Sequence, residues 1–482
     1  MEMNKVKVLV TNPPWPGPGY GARSDVRWPH RRSDKYLEYP IYLAYTVAIL
    51  EEAGIDVHFI DAVVDDLSVE AFVEKTKKIR PNLVAMECST PSIINDLQTA
   101  KALKEEMSDI FVVLMGSHPT YFHNEILNEN KFVDVIARGE FDLTIRDLAL
   151  ALQKGKEQLT DVEGISYRDG EIVKVNKDRN LIHNLDSLPF PARHIVKSDS
   201  YREAVFTGKR CTTIVSSRGC PHQCIFCLWP RTMYGNKFRQ RSAENVVDEV
   251  QEVVEKHGVD EIYFDDDCLT LDKNRLLKIC SEIVRRKIKV KWMCQARVNN
   301  IDEDVLKAMK DSGCHYIKYG VESGSQEMLD AMKKGITLEQ VRKAFKATRK
   351  VGIKTQAFFL FGLPWETPET VEETIEFAKE IKPDSAQFAV VIPHPGTELY
   401  DLCVSKGWLK YDSWEDFDCR KALIEIENLS NEDVAKYRTK AYREFYLRPS
   451  FILRTTLRLW NPKEARRIIR SAKSILARMK YY

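Results

Sequence analysis

The stretch Cys220-Pro221-His222-Gln223-Cys224-Ile225-Phe226-Cys227 places three cysteines on one short segment, in the spacing Cys-x3-Cys-x2-Cys. A four-iron cluster takes four ligands, so three protein thiolates leave one iron open to a molecule from solution. No fourth cysteine follows at matching spacing nearby. We therefore predict an open [4Fe-4S] cluster bound by Cys220, Cys224 and Cys227.

Two other interpretations of these cysteines stay open at this point. Zinc takes mixed cysteine and histidine ligands, and His222 lies between the first two cysteines. That position argues against zinc, because structural zinc sites usually join two ligand pairs from separate segments. The cysteines can also be plain core residues, since a free cysteine is often simply buried.

Length and composition indicate an ordinary soluble globular chain of two or three domains. It has 482 residues, of which 44% are hydrophobic and 30% charged. A formal net charge of +2 gives no sign of a nucleic-acid partner, and no long apolar run marks a membrane span. The 11 cysteines are irregularly spaced, and the start MEMNKVKVLV passes directly into a strand pattern without room for a secretory signal. We therefore expect reduced thiols and a cytoplasmic location.

Alternating strand and helix patterns divide the chain into four regions. Residues 1–150 predict a doubly wound, Rossmann-like parallel sheet, with ligands at the carboxyl ends of its strands. Residues 151–205 form a connector that contains a predicted hairpin at Arg168-Asp169-Gly170. Alternation resumes over residues 206–395, with polar clusters at the strand ends, where parallel barrels place their chemistry. Residues 396–482 are predicted to be helical.

The cysteine motif, together with several strand ends, resembles the radical S-adenosylmethionine enzymes. The matching segments are Phe264-Asp265-Asp266-Asp267, Gly320-Val321-Glu322-Ser323-Gly324, Gly362-Leu363-Pro364-Trp365-Glu366-Thr367 and Pro393-His394-Pro395-Gly396-Thr397. The resemblance implies a partial (β/α)6 barrel and S-adenosylmethionine chelated to the open iron. It also implies a 5'-deoxyadenosyl radical that abstracts hydrogen, and an external electron donor of the flavodoxin or ferredoxin type.

The same resemblance assigns roles to residues of the predicted barrel. Asp266 is expected near the S-adenosylmethionine amine and Arg297 at its carboxylate. Glu322 and Ser323 are expected at the ribose hydroxyls. Phe226 is the aromatic residue that the family usually has between the last two cysteines.

Some of these assignments have alternatives. The catalytic candidates are Asp266 and His394, neither of them fixed by the motif alone. Asp267 precedes a helix and can serve as its cap. Arg297 can instead form an ordinary ion pair. Trp365 stands where the family has a glycine, which puts the adenine contact of that segment in doubt.

The first region lacks the Gly-x-Gly-x-x-Gly of a nicotinamide-binding domain. It resembles instead the cobalamin-binding domain that precedes the barrel in one class of radical enzymes, through Asn12-Pro13-Pro14, Met115-Gly116-Ser117-His118 and Arg138-Gly139-Glu140. Cobalamin is therefore an expected cofactor. The Asp-x-His-x-x-Gly pattern that supplies a cobalt ligand in other cobalamin proteins is missing. His118 faces a ligand or is a packing residue, and the sequence leaves both open.

The residues after the cluster motif, Leu228-Trp229-Pro230, resemble the hopanoid-modifying branch, which contains the bacteriohopanetetrol cyclitol ether synthases. Arg23-Ser24 and Arg27-Trp28-Pro29-His30 resemble other lipid-modifying relatives. From Arg448 onward the chain has ten Lys or Arg and a single acid, Glu464, with apolar residues on one helical face. Such a helix lies on an anionic membrane surface or packs on the barrel.

These observations lead to one expectation and three alternatives. We expect a radical enzyme that abstracts hydrogen from an unactivated carbon of a lipid or isoprenoid-linked sugar, for C–C bond formation, rearrangement or cyclisation, peripheral on the inner face of the membrane. The first alternative is cobalamin-dependent radical methylation. The second is a binding protein with a structural zinc site. The third, a transfer-RNA-modifying methylthiotransferase, lacks its extra cysteine triplets here. Of the remaining cysteines, Cys211 and Cys268 are the ones that can approach the site.

Overall fold

Two sheets follow one another along the chain: the first has seven strands, of which five are parallel, and the second has six parallel strands. The structure is a computed structural model that describes residues 6–17, 19–22, 29–32, 37–201, 206–425 and 427–456. The predicted fold class, a Rossmann-like domain followed by a partial barrel and a helical region, is confirmed. Arg23-Ser24, Arg27-Trp28 and the basic segment from residue 457 onward lie outside the described residues.

The first sheet has the order β4-β1-β5-β6-β7-β8-β9, in which β4 to β7 run parallel to β1. Because the chain winds outward in both directions from β1, the crevice between the ends of β1 and β5 is the expected ligand position of such a sheet. The strands are β1 (Lys7–Asn12), β2 (Tyr20–Ala22), β3 (His30–Arg32), β4 (Asp56–Asp61), β5 (Leu83–Glu87), β6 (Phe111–Met115), β7 (Val135–Ala137), β8 (Ile165–Asp169) and β9 (Ile172–Val175). The helices are α1 (Ile41–Glu52), α2 (Val69–Ile79), α3 (Ile93–Glu106), α4 (Ser117–Tyr121), α5 (His123–Glu129) and α6 (Asp142–Lys154).

Helix α1 is apolar on all sides, and its residues 41–50 are all buried. A helix of this kind lies in a core instead of on a surface. One side of α1 packs on the first sheet, and Tyr42 and Tyr45 on the other side reach the second domain. The Tyr42 ring lies 5.3 Å from that of Trp229, and the Tyr45 hydroxyl accepts from Arg241. Helix α1 therefore joins the two domains.

The hairpin predicted in the connector is present as β8 and β9, with Gly170 at a φ of +63° in its turn. Strand β8 pairs antiparallel with β7. The connector thus extends the first sheet by two strands. The predicted boundary at residue 150 stays a prediction.

The second sheet consists of six parallel strands in the order β10-β13-β14-β15-β16-β17, as expected for a partial barrel. The strands of this half of the chain are β10 (Cys211–Ile214), β11 (Ser217–Arg218), β12 (Arg239–Gln240), β13 (Glu261–Phe264), β14 (Lys291–Ala296), β15 (Cys314–Glu322), β16 (Lys354–Phe361) and β17 (Ser385–Val390). The helices are α7 (Leu228–Tyr234), α8 (Ala243–His257), α9 (Lys273–Arg285), α10 (Glu303–Asp311), α11 (Gln326–Ala331), α12 (Leu338–Val351), α13 (Pro368–Ile381), α14 (Glu398–Lys406), α15 (Asn431–Tyr446) and α16 (Pro449–Thr456).

The barrel helices begin and end where their sequence signals predict. Helix α8 begins after Ser242, whose side chain accepts from the Asn245 N–H, and ends at Gly258 with a φ of +64°. Helix α12 begins with a capping box of Thr337 and Gln340. Such caps satisfy the free N–H groups of the first helical turn. These caps define where each helix begins and ends, and so where the loop before it leaves the preceding strand.

The region after the barrel closes its open edge. Helix α15 packs along edge strand β17, where the Tyr446 hydroxyl donates to Ala386 O at 2.7 Å and the Tyr442 hydroxyl contacts the backbone of Phe388. The two tyrosine hydroxyls thus bind backbone groups of β17 that a neighbouring strand would otherwise pair with. None of the described helices combines the length and the apolar character that crossing a bilayer requires.

Residues 411–420, which we call the clasp, run from the barrel back to the first domain. Asp418 accepts from Arg31 Nε at 3.2 Å in a buried ion pair. The Trp414 ring lies 5.1 Å from His118 and 5.4 Å from Phe122. The clasp therefore covers the line along which the two domains meet, which we call the seam.

Candidate cluster and cofactor site

The cysteine loop lies between β11 and α7, at the carboxyl end of the barrel strands. Its entry is tight, because a Cβ on Gly219 would lie 2.1 Å from Lys237 O. The Gly219 N–H donates to Asp267 Oδ2 at 2.9 Å. In mid-loop, Ile225 donates to Met332 O at 3.2 Å and accepts from the Leu399 N–H at 2.9 Å. The loop is thus held by hydrogen bonds to three separate segments, one through the Asp267 side chain and two through the backbone of Met332 and Leu399.

The three cysteines present thiols that fit an iron–sulfur cluster. Cys220 is buried, and Cys224 and Cys227 are half-buried. The neighbouring Cys268 thiol is the main cause that lowers the pKa of Cys220 to about 7, which favours the thiolate that binds iron. Thiolates are the usual ligands of such clusters, so the donor set fits the predicted group.

His222 belongs to a compact group with Cys220 and Cys268, in which one ligand atom of each lies within 4.8 Å of the others. Burial, with Arg297 and Lys334 nearby, lowers the pKa of His222 to about 4, so this imidazole is neutral. Cys224 and Cys227 are not part of the group. By itself, this geometry suits the zinc interpretation as well as the cluster one.

Three aspartates follow β13, and two of them hold neighbouring segments. Asp266 is buried and accepts from Ser216 Oγ at 2.8 Å and from Ser217 Oγ. Burial raises its pKa. Asp267 anchors the cysteine loop through Gly219. Asp266 thus contacts the segment between β10 and β11, and its predicted role at S-adenosylmethionine stays a prediction.

Arg297 lies beside the cysteine loop and not in a surface ion pair. Its Nη1 donates to Cys224 Sγ at 3.8 Å, and its Nη2 donates to Lys334 O. The residue is 7% exposed. A guanidinium so close to the cluster ligands suits an anionic group there, and its contact with the S-adenosylmethionine carboxylate stays a prediction.

Glu322 ends β15 in an unusual backbone conformation. Its φ is +70°, and the pairing register with β16 shifts between Gly320 and Glu322. Such a left-handed residue costs about 1–3 kcal/mol and occurs often at functional sites. The carboxylate accepts from Lys334 Nζ at 2.6 Å. Ser323 Oγ lies 3.0 Å from Thr374 Oγ1, so its hydroxyl already has a partner in α13.

The turn after β16 is held by a buried carboxyl group. Glu366 Oε2 accepts from the Leu363 N–H at 3.2 Å and from the Gly362 N–H. Burial raises the pKa of Glu366 to about 8. The side chain is therefore a neutral acid at moderate pH. Trp365 is half-buried and packs against the barrel core.

Two buried histidines pack against the clasp: His118 of the first domain contacts Trp414, and His394 of the loop after β17 contacts Phe417. Burial lowers the pKa of each to about 3, with His394 contributing to the shift of His118. His118 Nδ1 contacts Thr90 Oγ1 at 3.1 Å. Among the described residues, neither ring nitrogen of His394 has a hydrogen-bond partner. Buried polar atoms of this kind point to a missing ligand or water.

The carboxyl edge of the first sheet fits a large neutral ligand such as cobalamin. Buried Ser89, Thr90 and Ser117 follow β5 and β6 there. Across the seam, Thr232 Oγ1 is also buried without a hydrogen-bond partner in the part of the chain that is described. The corrin periphery carries neutral amides, which uncharged imidazoles and hydroxyls can bind. Strand β1 ends in Asn12-Pro13-Pro14, so no histidine follows it as a cobalt ligand.

No sequence motif indicates several residues of the site. Lys334, Thr232 and Trp414 lie outside the recognised motifs, and each reaches the site only through folding. For Cys268, the sequence predicts only that it can approach the site. The three aspartates directly before Cys268 indicate that it follows the end of a strand.

Comparison with known proteins identifies both domains. The model of the radical SAM superfamily matches residues 214–378, and that of the B12-binding domain matches residues 31–149. A protein of Pyrococcus horikoshii named as an uncharacterized methyltransferase is 34% identical over 86% of this chain and 89% of its own length. The anaerobic magnesium-protoporphyrin IX monomethyl ester cyclase of Cereibacter sphaeroides is 30% identical over 85% of this chain and 67% of its own.

More distant matches agree with these two. The hopanoid C-3 methylase of Methylococcus capsulatus is 26% identical over 75% of this chain and 68% of its own length. The structure of the radical S-adenosylmethionine methyltransferase TsrM from Kitasatospora setae has the same fold, with a TM-score of 0.66 at 17% identity over 85% of this chain and 79% of its own. The predicted cofactors, a [4Fe-4S] cluster, S-adenosylmethionine and cobalamin, are those of the two matched domains. The chain therefore belongs to the radical SAM superfamily, among the enzymes in which a B12-binding domain precedes the radical SAM domain.

Proposed function

We propose that this protein is a cobalamin-dependent radical SAM methyltransferase that adds a methyl group to an unactivated carbon. Ring formation or rearrangement was the first expectation from the sequence, and methylation its alternative. The P. horikoshii relative, with 34% identity along most of both chains, is named as a methyltransferase, and a second relative as a methylase. These relatives favour the alternative.

The structural observation that carries the proposal is the contact between the B12-binding domain and the helix that begins after Cys227. The Tyr42 ring packs on Trp229 at 5.3 Å, and a Cβ on Gly139 would lie 3.6 Å from Met233 O. Both Trp229 and Met233 belong to α7. The carboxyl edge of the first sheet therefore adjoins the cluster loop. This proximity supports a reaction that uses both cofactors on one substrate.

Residues of this chain position both cofactors. Bound cobalamin supplies the methyl group, and the reduced cluster with S-adenosylmethionine supplies the hydrogen-abstracting radical. Cys220, Cys224 and Cys227 hold the cluster, and Arg297 and the Lys334–Glu322 pair lie beside it. His394 and Thr232 present uncharged donors at the seam, and the clasp excludes water from it. Exclusion of water protects a reactive radical from side reactions.

The test is anaerobic turnover of the reconstituted enzyme with S-adenosylmethionine, cobalamin, a reductant of the flavodoxin type and a membrane-lipid extract. We expect comparable amounts of 5'-deoxyadenosine and S-adenosylhomocysteine, both dependent on cobalamin, because methylation consumes one S-adenosylmethionine for the radical and another for the methyl group. Cys224→Ala should abolish both products. Cys280→Ala, which changes a buried cysteine in α9, is the matched control and should retain them.

Ring formation is the second candidate, and one observation favours it. The C. sphaeroides cyclase is 30% identical over 85% of this chain. In the same assay a cyclase would give 5'-deoxyadenosine without cobalamin-dependent S-adenosylhomocysteine. That result would contradict the methyltransferase proposal.

We also propose a lipid or isoprenoid-type substrate, reached from an anionic membrane surface. The hopanoid methylase supports the substrate class. At the end of the described chain, Leu447, Ile452 and Leu453 are 59%, 48% and 65% exposed, next to a segment rich in Lys and Arg. Exposed apolar residues beside basic ones suit an anionic bilayer. The charge of the bilayer and that of the segment are complementary.

Vesicle sedimentation tests this attachment. The full chain should sediment with vesicles that contain phosphatidylglycerol and remain free with pure phosphatidylcholine. Ile452→Asp with Leu453→Asp should reduce binding severalfold. Val404→Asp is the matched control, because Val404 is 54% exposed on α14. Equal binding of all variants, or no binding, would contradict the attachment.

A further inference from the structure

The second sheet presents one face to the surrounding helices and the other to the inside of the partial barrel, which we call the lumen. Ile317, Tyr319 and Phe359 belong to the core that the strands share with the helices. The Tyr319 hydroxyl, for example, lies 2.8 Å from Thr348 Oγ1 of α12. Because side chains alternate along a strand, the residues between these point into the lumen.

Polar side chains line the middle of the lumen on neighbouring strands. The pairing register places Gln295 of β14 beside Lys318 of β15, and Lys318 beside Gln356 of β16. Gln387 of β17 is paired with Phe358, two residues further along β16 than Gln356. The amides of the three glutamines therefore lie at two successive levels of the lumen, and all three side chains are half-buried.

The amino end of the lumen is closed by a layer of apolar and aromatic side chains. Tyr263, Met293 and Tyr316 lie in one row of the sheet, and Met293 is two residues before Gln295. They pack with Phe206, and all four are buried. This layer blocks entry from the amino ends of the strands and leaves the carboxyl ends, where the cluster loop lies, for a ligand of the lumen.

The amide groups of the lumen keep hydrogen-bonding capacity for a ligand. Gln295 Nε2 donates to Asp265 Oδ1 at 3.3 Å and to the Tyr263 hydroxyl, which orients the amide and leaves its oxygen as an acceptor. Within the described residues, the side chains of Gln356 and Gln387 make no hydrogen bond. Since an amide both donates and accepts, these side chains suit hydroxyl or amide groups.

The charged residues beside the amides have opposite signs. Lys318 Nζ lies over the Tyr263 ring at 4.3 Å, and Asp265 accepts from Gln295. Opposite charges at neighbouring positions favour neither an anion nor a cation. A hydrocarbon chain in the lumen would leave the amides without partners, which is unfavourable. The lining therefore suits a polar, uncharged group.

We propose that Gln356 and Gln387 are specificity-determining residues that bind the hydroxyl or amide groups of an uncharged polar head group. The modified carbon then belongs to the head of the lipid-linked substrate and not to its hydrocarbon tail. The inference rests on the proposed function and narrows its substrate class. The position of the amides supports it: Gln295 lies about 7 Å along β14 from Arg297, and Arg297 donates to Cys224 Sγ.

The first test locates the new group in the product. The full-length, reconstituted enzyme is supplied with a membrane-lipid extract and S-adenosylmethionine that carries a trideuterated methyl group. Hydrolysis then separates water-soluble head groups from hydrocarbon tails for mass spectrometry. We expect the deuterated methyl group in the head-group fraction. Label in the tails would overturn the proposal, and so would 5'-deoxyadenosine formation that the extract does not stimulate.

The same experiment separates this inference from the proposed methylation. If no cobalamin-dependent S-adenosylhomocysteine forms, the methyltransferase proposal fails. A change of mass in the head group would still support the role of the lumen, because the two amides bind a head group whichever reaction follows. A change of mass in the tail would contradict it.

The second test removes the amides. Gln356→Leu and Gln387→Leu keep a side chain of similar size, and each should lower extract-dependent formation of 5'-deoxyadenosine about tenfold at limiting extract, as expected for a lost hydrogen bond. The affinity for S-adenosylmethionine and its slow cleavage without extract should not change. Gln251→Leu, at a half-buried position on α8, is the matched control and should behave like the parent. Unchanged dependence on the extract in both lumen variants, or weaker binding of S-adenosylmethionine in both, would overturn the proposal.

Discussion

Arg218 Nη1 donates to Glu140 Oε1 at 2.8 Å and to Asp142 Oδ2 at 2.6 Å, so that one guanidinium joins the radical domain to the B12-binding domain. Arg218 is 2% exposed and lies two residues before Cys220. Arg239 donates to the other oxygen of Glu140 at 2.7 Å. The position of the cluster loop is therefore tied to the domain that binds the second cofactor.

Arg218→Met should destabilise the protein strongly. The change leaves Asp142 without its arginine partner in a buried site, and breaking a buried ion pair costs about 3–5 kcal/mol. Urea unfolding monitored by circular dichroism measures the loss. Arg210→Met is the control, because Arg210 is 58% exposed beside Asp199, and its loss should cost under about 1 kcal/mol. Similar values for the two variants would contradict the importance of the buried contact.

Glu366→Gln should remove a pH dependence of stability. The pKa of Glu366 is about 8 in the folded protein against an ordinary value of 4.5, so the folded state binds this proton more tightly. The stability that this group contributes is present below pH 4.5 and is lost as the pH rises to about 8. Thermal melting at pH 5.5 and 8.5 checks this. Between these pH values, the melting temperature of the parent should fall more than that of the variant. Parallel losses would contradict the raised pKa.

Glu322→Gln should weaken binding of S-adenosylmethionine about tenfold if Glu322 contacts the ribose, because a hydrogen bond to a charged group contributes roughly 1.5–3 kcal/mol. Anaerobic equilibrium dialysis on the cluster-loaded enzyme measures the affinity. The change also removes the charge partner of Lys334, so melting curves must show that the variant is folded. Glu327→Gln, at an exposed position on α11, is the control. Unchanged affinity would show that Glu322 does not contact S-adenosylmethionine.

His394→Leu should stabilise the cofactor-free protein and impair the loaded one. Burying polar atoms without partners costs about 1–3 kcal/mol, and leucine removes them at similar volume. If the ring binds cobalamin or substrate across the seam, the variant should hold cobalamin more weakly. Melting temperature and cobalamin retention on gel filtration measure the two effects. A lower melting temperature without cofactor would mean that His394 has a structural role. His183→Leu, at an exposed position, is the control.

The sequence predicts the two sheets well because buried parallel strands read as short apolar runs that end in polar residues. The apolar run at residues 110–115 predicts a strand, which is present as Phe111–Met115, and the predicted barrel has its six strands. The apolar run at residues 133–137 likewise predicts a strand, which begins later, at Val135. The Asn130 carbonyl accepts from the Val133 N–H, so residues 130–133 form a turn and the strand begins after it.

The site is harder to predict than the sheets, because its contacts join distant parts of the chain. The cysteine motif is local and could be read directly. The Lys334–Glu322 pair depends on a register shift in β15, and the contact of His118 with Trp414 depends on how the two domains pack. The group of Cys220, His222 and Cys268 likewise brings together residues that are far apart in sequence. A motif lists the residue types at a strand end, but not the partners that folding brings to them.

The clasp has a consequence for the order of folding. Arg31 and Asp418 are 387 residues apart, so their contact closes a loop that spans most of the chain. Contacts between such distant residues form late, because a large loss of chain entropy must precede them. Synthesis also delivers residues 411–420 only after both sheets have left the ribosome. The seam therefore stays accessible until the chain is nearly complete, and a bulky cofactor can enter it before the clasp closes.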